Sequence, residues 1–279
     1  MAAVAWRVRN AIWAIRRLPP TLQAWLAFRR NISAYTVLDE MELKATRTSD
    51  TVFIFGSGRS LSAIPEPEYR AMEAHNTIGF NWFVHQRFVR CDYHLVREIV
   101  GSDLGARWRT EVPRYFALAR QSPMFARTIF LVQSGFRAIN GNRAIGYRYL
   151  PADHPVFLFR TRRGSLEPSA SLREGLTHAH GTLSDCVNAA ALLGWTRIVL
   201  VGVDLYDRRY FWLGEDESTA DEASVDAPHR TAVAGVVEQL RQWRAHYEPK
   251  GIHLYTYNPK SLLAAVLPLW PAAGEAATR

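Results

Sequence analysis

The stretch Thr51-Val52-Phe53-Ile54-Phe55-Gly56-Ser57-Gly58-Arg59-Ser60-Leu61 decides how this chain folds. Five residues without an ionisable side chain stop abruptly at a glycine. A short, continuous apolar run of this kind reads as a parallel strand buried on both faces. The same signature returns at Arg197–Val201, closed by Gly202. Working outward, Asn76–Phe80, Asp92–Val96, Thr128–Val132, Val156–Phe159 and Ile252–Tyr255 read as further strands. Helices are expected near 67–74, at Thr182–Leu193 with Thr182 as N-cap and Gly194 as terminator, and at His229–Tyr247. In the last of these Val233, Val236, Val237, Leu240 and Trp243 share one face. Strands alternating with helices predict an α/β fold: a Rossmann-like, mostly parallel sheet with helices on both faces. Residues 133–180, broken by Pro151, Pro155 and Pro168, are legible only at Val156–Phe159.

Of the 279 residues, 48% are hydrophobic, enough for a sizeable core. The two cysteines, Cys91 and Cys186, are too few and too far apart for a disulfide framework, and a reducing, cytoplasmic compartment is the simpler reading. The formal net charge of +8 points to an anionic partner. It is concentrated at the start: residues 1–38 hold six arginines, interleaved with Trp6, Trp13 and Trp25, and no acid. Arginines interrupt any signal-peptide core, and the arm is not apolar enough to span a bilayer. Two readings stay open for 1–48. It is a basic helical arm lying on an anionic inner-membrane surface, or one packed on the chain's own body or on another subunit. Residues 49–270 are read as the nucleotide-sugar-binding domain and 271–279 as a tail.

In an open parallel sheet, ligands bind outside the carboxyl ends of the strands where the strand order reverses. The residues just after each strand therefore become candidates. Gly56, Ser57 and Gly58 would let backbone approach a phosphate, although a tight turn would use the same glycines. Asn81 follows the second strand, with the donor and acceptor needed to read a base or ribose edge, or to form an Asx-turn. Gly202, Asp204 and Tyr206 follow the strand at 197–201, with Tyr210 close behind. Here the tyrosines are phosphate donors or edge packing, and Asp204 orders the loop or touches ligand. His178 and His180 precede the helix at Thr182, as a polar phosphate-facing turn in preference to a metal pair. Residues 207–228, rich in acids, read as a lid or a surface loop. His229 opens the last helix and titrates near neutrality, as a general base must. A capping histidine would occupy the same place.

Taken in order, the motifs Phe53–Leu61, Asn81, Gly181-Thr182-Leu183-Ser184 with its alanine-rich helix, Arg197–Tyr206, His229 and Asn258–Ala264 resemble the bacterial lipooligosaccharide sialyltransferases, glycosyltransferase family 42, over roughly residues 51–266. The resemblance implies a modified Rossmann (GT-A-like) domain with a small lid, a CMP-sugar donor, a bacterial glycan or glycolipid acceptor, and no essential cofactor or metal. It implies that Ser57 and Gly58 contact the nucleotide phosphates, Asn81 the donor, Thr182 the donor carboxylate, and Gly202 the nucleotide. Tyr206 and Tyr210 would steady the leaving phosphate, with His229 as general base. The chain departs from the family pattern at Ser57, at Arg97 after the third strand, before Gly181 and Thr182, where an expected arginine is absent and His178 or His180 stands nearby, and at Asp226. These positions lie at the donor sugar, so sialic acid or a related acidic sugar is expected. The run Gly181–Tyr206 also resembles pterin pyrophosphokinases, which would need ATP and magnesium. A non-catalytic glycan- or membrane-binding protein is the third reading. No nucleic-acid motif accompanies the charge.

Overall fold

Val52 and Ile54 face one side of the sheet while Phe53 and Phe55 face the other, and all four are buried. Both faces of this strand are covered, which explains why its apolar run is unbroken. The computed structural model describes residues 18–97, 99, 108–162, 164–206, 209–214 and 228–271; along 228–234 it describes the backbone helix alone.

The strands are β1 (Thr51–Phe55), β2 (Asn76–Phe80), β3 (Tyr93–Val96), β4 (Ile129–Gln133), β5 (Val156–Phe159), the short pair β6 (Thr161–Arg162) and β7 (Leu176–Thr177), then β8 (Arg197–Val201) and β9 (His253–Thr256). Seven of them form one sheet in the order β5-β4-β3-β2-β1-β8-β9. Every pairing in it is parallel. The chain builds outward from β1 to β5, then returns to lay β8 on the other side of β1. The order therefore reverses between β1 and β8.

The helices are α1 (residues 18–31), α2 (Glu40–Ala45), α3 (Glu66–Met72), α4 (Trp108–Gln121), α5 (Ile139–Gly146), α6 (Thr182–Leu193) and α7 (Pro228–Tyr247). Helices α2, α6 and α7 cover the face of Val52 and Ile54. Helices α1, α3, α4 and α5 cover the face of Phe53 and Phe55. All seven expected strands match within a residue at each end, and all three expected helices exist. Helices α2, α4 and α5 were not anticipated. Pro113 inside α4 interrupts its pattern, and α5 carries two glycines that read as loop. One expectation is corrected: Thr182 is the first residue of α6, while Gly181 holds the N-cap position at φ 123°, a conformation that disfavours any side chain there. Gly194 does terminate α6, left-handed at φ 96°.

From residue 18 onward the basic segment packs on the body. Thr21, Ala24 and Phe28 of α1 are buried. A Cβ at Gly146 would lie 2.6 Å from the Phe28 nitrogen, so only glycine lets α1 sit this close to α5. Asn31 Nδ2 donates to the Gly146 carbonyl at 2.8 Å, and Tyr35 Oη to the Leu150 carbonyl at 2.7 Å. The Thr36 carbonyl and Leu38 N–H then bond Val156, covering the exposed side of β5. Residues 268–270 do the same for Thr256 of β9. Among the described residues no helix is long and apolar enough to cross a membrane.

Candidate active site at the sheet's carboxyl edge

The loops after β1 and β8 meet where the strand order reverses. Gly56 N–H donates to the Val201 carbonyl and Gly58 N–H to the Gly202 carbonyl, each at 2.8 Å. The glycines are needed for this contact. A Cβ at Gly56 would fall 2.5 Å from the Gly202 oxygen, and one at Gly58 only 2.4 Å from Asp204 Oδ2. Gly202 itself has φ 65° and presses on Leu61.

Asp204 is the knot of this crevice. It is 2% exposed. Its carboxylate accepts the Ser60 N–H at 2.9 Å, the Ser60 hydroxyl, and Asn258 Nδ2 at 2.9 Å. These donors satisfy a side chain that would otherwise be buried without partners. The Asn258 amide also reaches Tyr206 Oη at 3.5 Å, so one side chain links Asp204 to a candidate catalytic tyrosine. Ser261 Oγ donates to the Val203 carbonyl at 2.6 Å and completes the clamp of 258–261 on the β8 loop.

The segment at 209–213 returns beside the glycine loop. Tyr210 forms an antiparallel bridge with Gly58, and Phe211 N–H donates to the Ser57 carbonyl at 3.3 Å. The Tyr210 ring stacks on Trp212 at 4.6 Å, and Trp212 on His85 at 4.7 Å. Burial, then the nearby Arg114 and Arg87, push the His85 imidazole down to about 4, so the column contains a neutral ring at pH 7. Tyr206 stands 46% exposed at the same edge.

Backbone strain gathers here. Among the described residues, three that are not glycine have positive φ: Asn81 at 51°, Leu205 at 63° and Arg148 at 56°. The first two lie at the carboxyl ends of β2 and β8, and Leu205 sets the direction of Tyr206. Leucine pays for this conformation with no compensating side-chain hydrogen bond, and such outliers cluster at functional sites.

A second cluster stands over the end of β3. By strand alternation Arg97 faces the α6 side, like Tyr93 and Leu95. It is 4% exposed, and its Nε lies 3.8 Å from Asp185 Oδ2 in the first turn of α6. His178 Nδ1 bonds the same oxygen at 2.6 Å. Asp185 is fully buried and close to a helix N-terminus, which favours its charge. Thr182 is buried beside it, and Ser184 Oγ donates to the Gly181 carbonyl at 2.6 Å. His180 goes elsewhere: its ring packs on α7, where a Cβ at Gly235 would come within 2.4 Å of it. The two histidines thus have different neighbours, and among the described residues no three His, Cys, Asp or Glu side chains converge on a common point.

Helix α7 leads into β9, so its first turn lies at the sheet's carboxyl edge, and His229 is its second residue. The His229 side chain, residues 215–227 of the expected lid, and Asp226 lie outside the described residues, as do 1–17 of the arm and 272–279 of the tail. Sequence reasoning missed Asp185, the role of His178, and Asn258 as the partner of Asp204. His178 stands in extended chain after β7, and nothing in the spacing signals that a helix carboxylate seven residues on turns back to it. Comparison of the chain with protein-family models and with curated proteins finds no match to either.

Proposed function

We propose that this protein is a glycosyltransferase that moves sialic acid or a related acidic sugar from a CMP-activated donor to a bacterial surface glycan or glycolipid. The observation that carries this reading is the crevice between β1 and β8. There a glycine-tight loop, the strained Leu205–Tyr206 pair and Tyr210 meet at the place where open α/β sheets hold nucleotides. The sugar assignment rests on the resemblance of the motifs to family 42.

In this reading the acceptor hydroxyl attacks the anomeric carbon on the face opposite CMP. The carbon–oxygen bond to the phosphate breaks, CMP leaves as an anion, and the acceptor proton passes to His229. The configuration inverts. Tyr206 and Tyr210 donate to the leaving phosphate, where charge develops. Asn258 orients the Tyr206 hydroxyl, and Asp204 fixes Asn258. Asn81 and Thr182, at the ends of β2 and the start of α6, contact the donor, with Arg97 behind them. Most of the rate comes from holding donor and acceptor in line. No cofactor takes part.

Calorimetric titration with CMP, CDP, UDP, GDP and ATP, with and without magnesium, tests the reading. Selective CMP binding without metal is expected, followed by turnover of a CMP-linked acidic sugar. ATP binding that requires magnesium, with none for CMP, would replace this reading with a pyrophosphokinase. No nucleotide binding at all would leave a non-catalytic binding protein.

A further inference from the structure

Helix α1 has two apolar faces, and among the described residues only one of them is packed on the body. Thr21, Ala24 and Phe28 turn inward against α5. Leu18, Leu22 and Leu26 follow at intervals of four, in one line along the helix, and stand 54%, 44% and 58% exposed. An isolated exposed leucine needs no explanation; a row of them on one helix does. Trp25, stacked on Phe28 at 5.3 Å, flanks the row and carries the Arg29 guanidinium over its ring at 5.9 Å.

The ground around the row is basic. Arg29 and Arg30 end the helix and are exposed. Arg148 joins them from the turn after α5, its Nε donating to Asn31 Oδ1 at 3.2 Å. The exposed Tyr147 precedes it. No acidic residue occurs before Asp39, so nothing in the first 38 residues offsets the arginines. An apolar ridge bordered by arginines and interfacial aromatics fits one kind of surface well: acyl chains beneath anionic headgroups. A second copy of this chain would bring the same positive charge against itself.

We propose that the outer face of α1, with Leu18, Leu22 and Leu26 as the inserted ridge and Arg29, Arg30 and Arg148 as its headgroup contacts, docks this protein on an anionic lipid bilayer. The assignment is independent of the sugar-transfer reading. It fixes α1 parallel to the membrane plane, with the α4 and α5 side of the sheet toward the lipid.

Co-sedimentation of the full chain with vesicles tests it. Binding to vesicles of phosphatidylcholine with phosphatidylglycerol is expected to exceed binding to phosphatidylcholine alone by about tenfold or more, and to weaken with added salt. The double variant Leu22→Glu/Leu26→Glu is expected to lose about tenfold or more of that partitioning. Its circular dichroism and melting temperature should match the wild type, since both side chains are exposed. The control Met41→Glu, at an 80% exposed position on the opposite side of the sheet, should bind as the wild type does. Equal binding to neutral and anionic vesicles, or undiminished binding by the double variant, would overturn the proposal. So would a wild type that ignores vesicles but forms a dimer that Leu22→Glu/Leu26→Glu dissociates, because the ridge would then belong to a second copy.

Discussion

His178 Nδ1 lies 2.6 Å from Asp185 Oδ2, and the same carboxylate oxygen faces the buried Arg97 guanidinium at 3.8 Å. Three segments are joined by that one oxygen: the end of β3, the strand-like approach to α6, and the first turn of α6. The carboxylate accepts from Nδ1, which leaves Nε2 of His178 as the ring's other polar atom. Replacing Asp185 takes one carboxylate away from the buried Arg97 guanidinium and from His178. Asp185→Asn is expected to cost about 3 kcal/mol. Arg97→Gln should cost a similar amount, and the double variant about 1–3 kcal/mol less than the sum. Urea denaturation of the four proteins measures this; strict additivity would mean that the two side chains do not interact.

Gly58→Ala would push a methyl group into Asp204 Oδ2. The expected loss is about 2 kcal/mol of stability, together with weakened CMP binding, because the Asp204–Asn258–Tyr206 link moves with it. Ser57→Ala, at a half-buried position one residue earlier, should leave stability within about 0.5 kcal/mol of the wild type. Thermal melts and CMP titrations of both variants separate the two effects. Equal behaviour would show that the loop yields to the added methyl.

Acid should destabilise the fold from near pH 6.5 downward. Burial pushes the His94 imidazole down to about 3, and burial with Arg114 and Arg87 pushes His85 down to about 4. Both are neutral in the folded chain at pH 7, while the unfolded chain takes up protons near pH 6.5. Their contribution is therefore complete above about 6.5 and is lost as pH falls toward 4 for His85 and 3 for His94. For the fully buried His94 the loss approaches about 1.4 kcal/mol per pH unit. His94→Gln should be less stable than the wild type near pH 8, since it disturbs the contact of His94 with Tyr115, yet should fall less steeply between about pH 6 and pH 4. Parallel slopes in urea midpoints would show that His94 does not titrate in this window.

His229→Ala is expected to bind CMP with unchanged affinity and to lose most turnover. Its pH–rate profile should lose the limb that reports the base. Wild-type turnover by the purified variant would remove His229 from the mechanism.

Gly146→Ala sets a methyl group against the backbone of Ala27 and Phe28. Neither neighbour is a flexible side chain that could move aside. The variant is expected to lose about 1–3 kcal/mol and to expose Trp25 and Phe28 as α1 lifts from α5. Tryptophan fluorescence and amide exchange in 18–31 would register this, whereas an unshifted melt would show that α1 adjusts freely.

The amino-acid sequence by itself determined the layered α/β architecture and most of its strands. A strand buried on both faces has to be apolar at every position, and Thr51–Phe55 and Arg197–Val201 carry that signature without help from the rest of the chain. It also determined which turns follow the strands, because Gly56, Gly58 and Gly202 are local requirements of backbone approach. Strand order is a different matter. Nothing in the local pattern of β8 says that it lies against β1 and not β5; helices covering both faces decide that, and with it the position of the crevice. The partnerships of polar residues were likewise decided only by tertiary structure. Asp204 and Asn258 are 54 residues apart, and His178, Arg97 and Asp185 come from three elements. Buried polar groups must find partners, but the demand is met through space. Sequence spacing therefore revealed where the chemistry could stand, and the fold alone chose which side chains face one another there.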